Sequence, residues 1–442
     1  MNAAQPQGAF ARDPDWSIEA LIDESQRFMA LPDRPIDTRF DIVTIEAGGL
    51  AWDIAGAICQ PSLPEDRMIG PDGRAVGFFL IHGGEGDYRS MQGLAQLLAR
   101  KCGVRVVSMT YPGRFAFDDP AHDWHGDTIR PDGSVRTPVW QRGERIGRDE
   151  YEVLTDGTNR AVYGTRTLAR ALPGSRFHRR MAGWPLAMEE GALALMARHF
   201  PPADWSVLVH GHSTGGPVSH YLLQRVCNIK GLAGIENSQF GYIWAQMNGA
   251  PWPNGFEDLV IRTWRDQARY IGAEALKSRG PEALMALPAL IEDVFAAWQG
   301  ALHEPQFKAE YILHVNCERE LERAARTTAE AMGLDAQATA VLVQRYLGYG
   351  RPLAGPDAPP LPPIIYIVCA LSRDHTPERY RQIAIPMMEA IVPKPRIRLF
   401  TFGAGTHYYF RPAPGLPEGL CPAAISIWMD ALRSGYFDGE PA

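Results

Sequence analysis

An α/β fold, a mostly parallel twisted sheet flanked by helices, is what this sequence predicts, on two observations. Short runs rich in Val, Ile and Phe recur between longer segments with apolar residues at three- and four-residue spacing, the alternation that lays helices on a parallel sheet. Two of these runs, at 77–82 and 206–210, end directly in glycine-rich bends that lead into helical spacing. Hydrophobic residues make up 45% and charged residues 21% of the 442, which excludes disordered and fibrous architectures.

Taken in order, 1–39 is an N-terminal extension with no assigned element. FDIVTIEA and LAWDIAGAICQ, within 40–60, flank Gly48-Gly49 and predict a β-hairpin. A strand over 77–82, a helix over 91–100 and a strand over 104–110 follow. Pro, Gly, Asp and Arg then break the alternation over 111–184, a long insertion. The core resumes with a helix over 186–199, a strand over 206–210, a helix after Gly216 and a strand over 231–235, closing a first core part at 40–241. Over 242–354, apolar residues such as Leu259, Val260, Trp264 and Ile271 keep helical spacing and predict a helical cap. The second core part, 355–442, opens on the strand IIYIVCAL, then a helix over 378–391 and a strand over 396–402.

The net charge of −7, 44 basic against 51 acidic side chains, argues against a nucleic-acid partner. The six cysteines are too scattered for a disulfide framework or a C-x-x-C pair. Residues 1–16 show no basic segment followed by an apolar one, so a cytoplasmic location is expected. The longest apolar run, 364–371, is far short of the ~20 residues of a membrane-spanning helix.

Chemistry concentrates at three strand ends. Gly211-His212-Ser213-Thr214-Gly215 has G-x-S-x-G spacing between a predicted strand and a predicted helix, where small flanking residues let the backbone turn sharply and lift a serine above the sheet. Ser213 is the expected nucleophile. A serine hydroxyl needs a base, and that base an orienting acid. His407 follows the last strand in a flexible Gly403-Ala404-Gly405-Thr406 loop and is the expected base. Asp374, after the preceding strand, is the favoured acid, with Glu236, after the strand that follows the nucleophile helix, as the alternative. The oxyanion formed on attack calls for backbone donors, expected from Thr214 and Gly84 in the His82-Gly83-Gly84-Glu85-Gly86 loop. His82 itself, at a strand end, is expected to brace that loop.

This set of residues resembles the α/β-hydrolase fold family: HGG after an early strand, G-x-S-x-G, then Asp and His after the last two strands, over roughly 40–240 and 355–435. The resemblance implies a serine hydrolase, foremost a carboxylic ester hydrolase working through an acyl-enzyme, with a cap where the helical segment falls. Acyltransferase, lactonase, amidase and C–C hydrolase chemistry use the same triad, and a non-catalytic ligand-binding module can occupy the same scaffold. Ser-Thr-Gly-Gly is also similar to tannase-like esterases, but those pair cysteines beside the serine and the histidine, where this chain has His212 and Tyr408. The expected partner is a small-molecule ester, bulky and partly apolar if Tyr242 and Trp244 at the cap entrance contact it. No cofactor is implied, since no P-loop or dinucleotide fingerprint follows a strand, and His122, Asp123, His125 and Asp127 lack the helical spacing of a zinc site.

Overall fold

The structure, a computed structural model, describes residues 10–12, 15–83, 87–113, 140–144, 146–154, 168–213, 215–237, 318–348, 353, 357–372, 377, 380–381, 385–389 and 391–439. Its strands are β1 (Phe10–Arg12), β2 (Ile36–Ala47), β3 (Leu50–Pro61), β4 (Ala75–Ile81), β5 (Arg105–Thr110), β6 (Tyr151–Leu154), β7 (Leu168–Ala171), β8 (Trp205–Gly211), β9 (Ile229–Ile235), β10 (Ile364–Cys369) and β11 (Ile397–Phe402). Nine of them form one sheet in the order β1-β11-β10-β9-β8-β4-β5-β3-β2, and β6 and β7 form a separate ribbon. The expected hairpin is β2–β3: Ala47 pairs with Leu50, leaving Gly48 and Gly49 to make the turn at φ 59° and 68°. Such a two-residue turn requires positive φ, which glycine adopts without strain. Pairing is antiparallel for β2–β3 and β3–β5 and parallel from β5 through β4, β8, β9, β10 and β11 to β1.

Side-chain alternation divides the core between the two faces of the sheet. Phe79, Ile81, Val207 and Val209 point to one face and meet Trp184, Ala187, Val218 and Leu222. Phe78, Leu80, Leu208 and Ile235 point to the other and meet Leu94, Leu98, Ile425 and Trp428. Strands buried on both faces read as continuous apolar runs, which is why β4, β8 and β10 were legible.

The described helices are α1 (Ile18–Met29), α2 (Gln92–Cys102), α3 (Arg176–His199), α4 (Gly215–Leu222), α5 (Glu318–Met332), α6 (Ala336–Leu347), α7 (Ile385–Glu389) and α8 (Cys421–Arg433). α3 starts at Arg176, after its Ser175 cap and ten residues before the predicted helix, because Pro185 within it interrupts the helical pattern of the sequence. The N-terminal extension holds elements that the sequence did not signal. α1 packs on α8, and Trp16 continues the sheet edge through Trp16 N–H to Thr401 O (2.8 Å) and Gly403 N–H to Trp16 O (2.7 Å). Of the helical segment expected over 242–354, residues 242–317 lie outside the described residues. Its last two helices, α5 and α6, pack on α3, where Tyr346 Oη donates to Ala182 O at 3.0 Å and Arg345 pairs with Glu189 and Glu190. Residues 114–139 and 155–167 of the expected insertion also lie outside the described residues, and the helix expected over 378–391 is described only as α7. Among the described residues, no helix is long and apolar enough to cross a membrane.

Candidate active site

The bend between β8 and α4 closes so tightly that its glycines admit no side chain. A Cβ on Gly211 would lie 2.1 Å from the carbonyl oxygen of Gly215, and one on Gly215 would lie 2.6 Å from that of Ile81. Ser213, at the apex, takes φ 49°. Glu236, directly after β9, takes φ 53°, and these two are the only non-glycine residues at positive φ among the described residues. Left-handed backbone is costly for side chains with a Cβ, and it gathers where a site needs it. The two bends are joined: Ser213 N–H donates to Glu236 O at 2.9 Å, and Ser213 forms a parallel bridge with Asn237.

The positive φ at Glu236 turns its side chain over the end of β10. Cys369 N–H donates to Oε1 at 2.8 Å, Ser372 Oγ–H to Oε2 at 2.7 Å, and His407 Nδ1 reaches Oε2 at 3.1 Å. The Glu236 side chain is 0% exposed and that of His407 11%. A buried charge is tolerable where donors replace water, and three do so here. A carboxylate oxygen only accepts, so Nδ1 of His407 carries a proton, and in the neutral ring the lone pair falls on Nε2.

Two histidines of the nucleophile segment touch the loop that carries His407. The His212 ring nitrogen Nε2 donates to His407 O at 2.9 Å, and the two imidazoles lie 4.6 Å apart between centroids at 31°. His210 holds Ala233 O through Nδ1 at 3.1 Å and accepts from Tyr409 Oη through Nε2 at 2.9 Å. Burial pushes the pKa of His210 down to about 3, and burial followed by the nearby His407 pushes that of His212 well below the usual range.

On the other side, the loop after β4 approaches the serine through Gly83. A Cβ there would lie 2.7 Å from His212 Nδ1 and 3.1 Å from Ser213 Cβ. His82 braces this loop as expected. Its Nδ1 donates to Gly83 O (2.7 Å), its Nε2 accepts from Tyr111 N–H (3.1 Å), and its carbonyl accepts from Tyr111 Oη (2.6 Å).

Of the residues singled out in the sequence, the structure brings together Ser213, Glu236, His407 and the His82-Gly83 end of the loop. Asp374, Thr214, Gly84, Tyr242, Trp244 and the His122–Asp127 stretch lie outside the described residues. The sequence ranked Asp374 above Glu236, and the carboxylate found on His407 Nδ1 is that of Glu236. Ser372 and Tyr409 were not singled out, and His212 only as a neighbour of the serine. Adjacency to Ser213 was the one signal that pointed at His212; nothing in the sequence pointed at Tyr409, whose neighbour Tyr408 is the residue beside His407. Among the described residues, no group of three His, Cys, Asp or Glu side chains could hold a metal ion.

No protein-family model matches the chain, and no curated protein matches it. Among solved structures it is similar to an acylaminoacyl peptidase from Pyrococcus horikoshii, at 12% identity and TM-score 0.37 over 92% of this chain and 42% of that one. It therefore spans less than half the length of that peptidase. It is also similar to a haloalkane dehalogenase loop variant from Bradyrhizobium elkanii, at 11% identity and TM-score 0.36 over 91% of this chain and 99% of the other. A lipase in its open form matches at 11% identity and TM-score 0.40 over 89% of this chain and 99% of the other.

Proposed function

We propose that this chain, which has the α/β-hydrolase fold, is a serine hydrolase that cleaves a carboxylic ester through a triad of Ser213, His407 and Glu236. The observation that carries the reading is the 3.1 Å contact of Glu236 Oε2 with His407 Nδ1, made by a residue whose own carbonyl holds the N–H of Ser213. That contact keeps the proton on Nδ1, so that in the neutral ring Nε2 is the nitrogen that takes a proton from Ser213 Oγ as it attacks the ester carbonyl carbon. Glu236 then balances the imidazolium. Backbone N–H groups of Thr214 and Gly84 are our candidates to hold the oxyanion, with the N-terminal end of α4 favouring negative charge there. As the tetrahedral species collapses, the alkoxide leaves with the proton from Nε2. Water repeats the sequence on the acyl-enzyme, giving the carboxylic acid and free Ser213. Tyr242 and Trp244 are our candidates for contacting the substrate.

The test is turnover of p-nitrophenyl acetate and butyrate. Ser213→Ala is expected to abolish it while thermal unfolding stays that of the wild type. Turnover by Ser213→Ala equal to the wild type rejects the mechanism.

A further inference from the structure

We propose that His212 is a positioning residue that fixes the reach of His407 towards Ser213, with the His210–Tyr409 contact as a second fastening of the same loop. The inference rests on the serine-hydrolase reading above. His407 comes from the loop after β11, and in the sheet β10 and β9 separate that strand from β8, which carries Ser213. The loop has to return across two strands to bring the imidazole to the serine. Glu236 holds the imidazole at Nδ1, and the place of the ring depends also on the backbone that carries it.

His212 holds that backbone: its Nε2–H donates to the main-chain oxygen of His407 at 2.9 Å while its ring lies against the base at 4.6 Å between centroids. The His212 ring is itself immobilised. Gly83 packs so closely behind it that a Cβ would come within 2.7 Å of Nδ1. One imidazole therefore links the loop after β4, the nucleophile bend and the base loop. Burial keeps His212 neutral, so the ring placed beside His407 adds no positive charge that would oppose the imidazolium formed during attack. Two residues beyond His407, Tyr409 Oη–H donates to His210 Nε2 at 2.9 Å, tying the same loop to β8 a second time.

The experiment compares kcat and KM on p-nitrophenyl butyrate for the wild type, Ser213→Ala, His212→Leu, His212→Gln and Tyr409→Phe, with thermal unfolding of each. His212→Leu is expected to lower kcat about 10- to 100-fold with little change in KM, the scale on which misplacing a catalytic group costs rate. His212→Gln, whose side-chain amide can donate to the same carbonyl, is expected to recover about tenfold of that loss. Tyr409→Phe is expected to lower kcat several-fold. Equal kcat in the Leu and Gln variants, or wild-type kcat in His212→Leu, overturns the role of His212, and wild-type kcat in Tyr409→Phe overturns the second fastening. If Ser213→Ala is as active as the wild type, the hydrolase reading itself falls and the positioning role with it. If Ser213 is required but His212→Leu is unaffected, only the positioning role falls.

Discussion

Replacing Glu236 by Gln keeps the shape and removes one acceptor. Oε1 faces Cys369 N–H, a donor that cannot rotate or change its proton, whereas Oε2 faces the Ser372 hydroxyl and His407 Nδ1. The amide oxygen is therefore expected beside Cys369 and the NH2 beside His407. Ser372 can turn its hydroxyl to accept, but His407 can accept only by moving its proton to Nε2, which removes the lone pair that in the proposed mechanism receives the Ser213 proton. An imidazole locked in the wrong tautomer costs about 10⁴ in kcat in a Ser-His-Asp protease, or about 5.5 kcal/mol of transition-state stabilisation. We expect Glu236→Gln to lose kcat on that scale, read by stopped spectrophotometric assay of p-nitrophenyl butyrate, with KM within a few-fold of the wild type. Asp374→Asn is expected to stay within about tenfold. Glu236→Gln within tenfold of the wild type, with Asp374→Asn carrying the large loss, would refute the assignment of the acid.

Ser372→Ala removes one of three donors to the Glu236 carboxylate, and a hydrogen bond to a charged group is worth about 1.5–3 kcal/mol. A kcat loss of about tenfold at unchanged KM is expected, and no loss would show that the remaining donors suffice. Gly83→Ala forces a Cβ to 2.7 Å from a ring that cannot move away, so both melting temperature and kcat should fall, and wild-type values for both would contradict the packing described here. His220, buried and held at Gly216 O and Tyr366 Oη, is pushed down to about 4 by burial, and His210 to about 3. Both native values lie below the unfolded value of about 6.5, so the stability they give is present above that pH and is lost as pH falls. The loss is about 1.4 kcal/mol per pH unit for each histidine, or about 2 kcal/mol each by pH 5. Burial raises Glu189 to about 7, which acts in the opposite direction, so the readout is the difference between urea unfolding of the wild type and of His220→Gln. The wild-type slope between pH 6.5 and 4.5 should exceed that of the variant by one proton, and parallel curves would refute the buried neutral state.

What the sequence revealed and what it hid divide along a physical line. The hairpin turn, the buried strands and the glycines of the serine bend are local requirements, each visible in a few consecutive residues. A Gly-Gly pair makes a turn, a run such as GFFLI fills both sides of a sheet, and G-x-S-x-G fits only where no Cβ can stand. The identity of the acid is not local. Asp374 and Glu236 follow neighbouring strands, β10 and β9, and both strands end at the same edge. What favours Glu236 in the proposed triad is its contact with His407 Nδ1, made from a positive φ at a non-glycine residue and beside donors from Cys369 and Ser372, and none of these leaves a trace in sequence spacing. The contacts of His210 with Tyr409 and of His212 with His407 join residues nearly two hundred positions apart, beyond any periodicity. α3 was read ten residues short because a proline within a helix looks like a stop until packing on both sides overrides it.

The most direct measurement is the site of covalent attack by a fluorophosphonate, located by peptide mass mapping of the full chain. One adduct on the peptide carrying Ser213, absent from Ser213→Ala and strongly slowed in Glu236→Gln, is the result expected if these residues form the reacting centre. Ester turnover that persists with no adduct on Ser213, or an adduct on another residue, would contradict it.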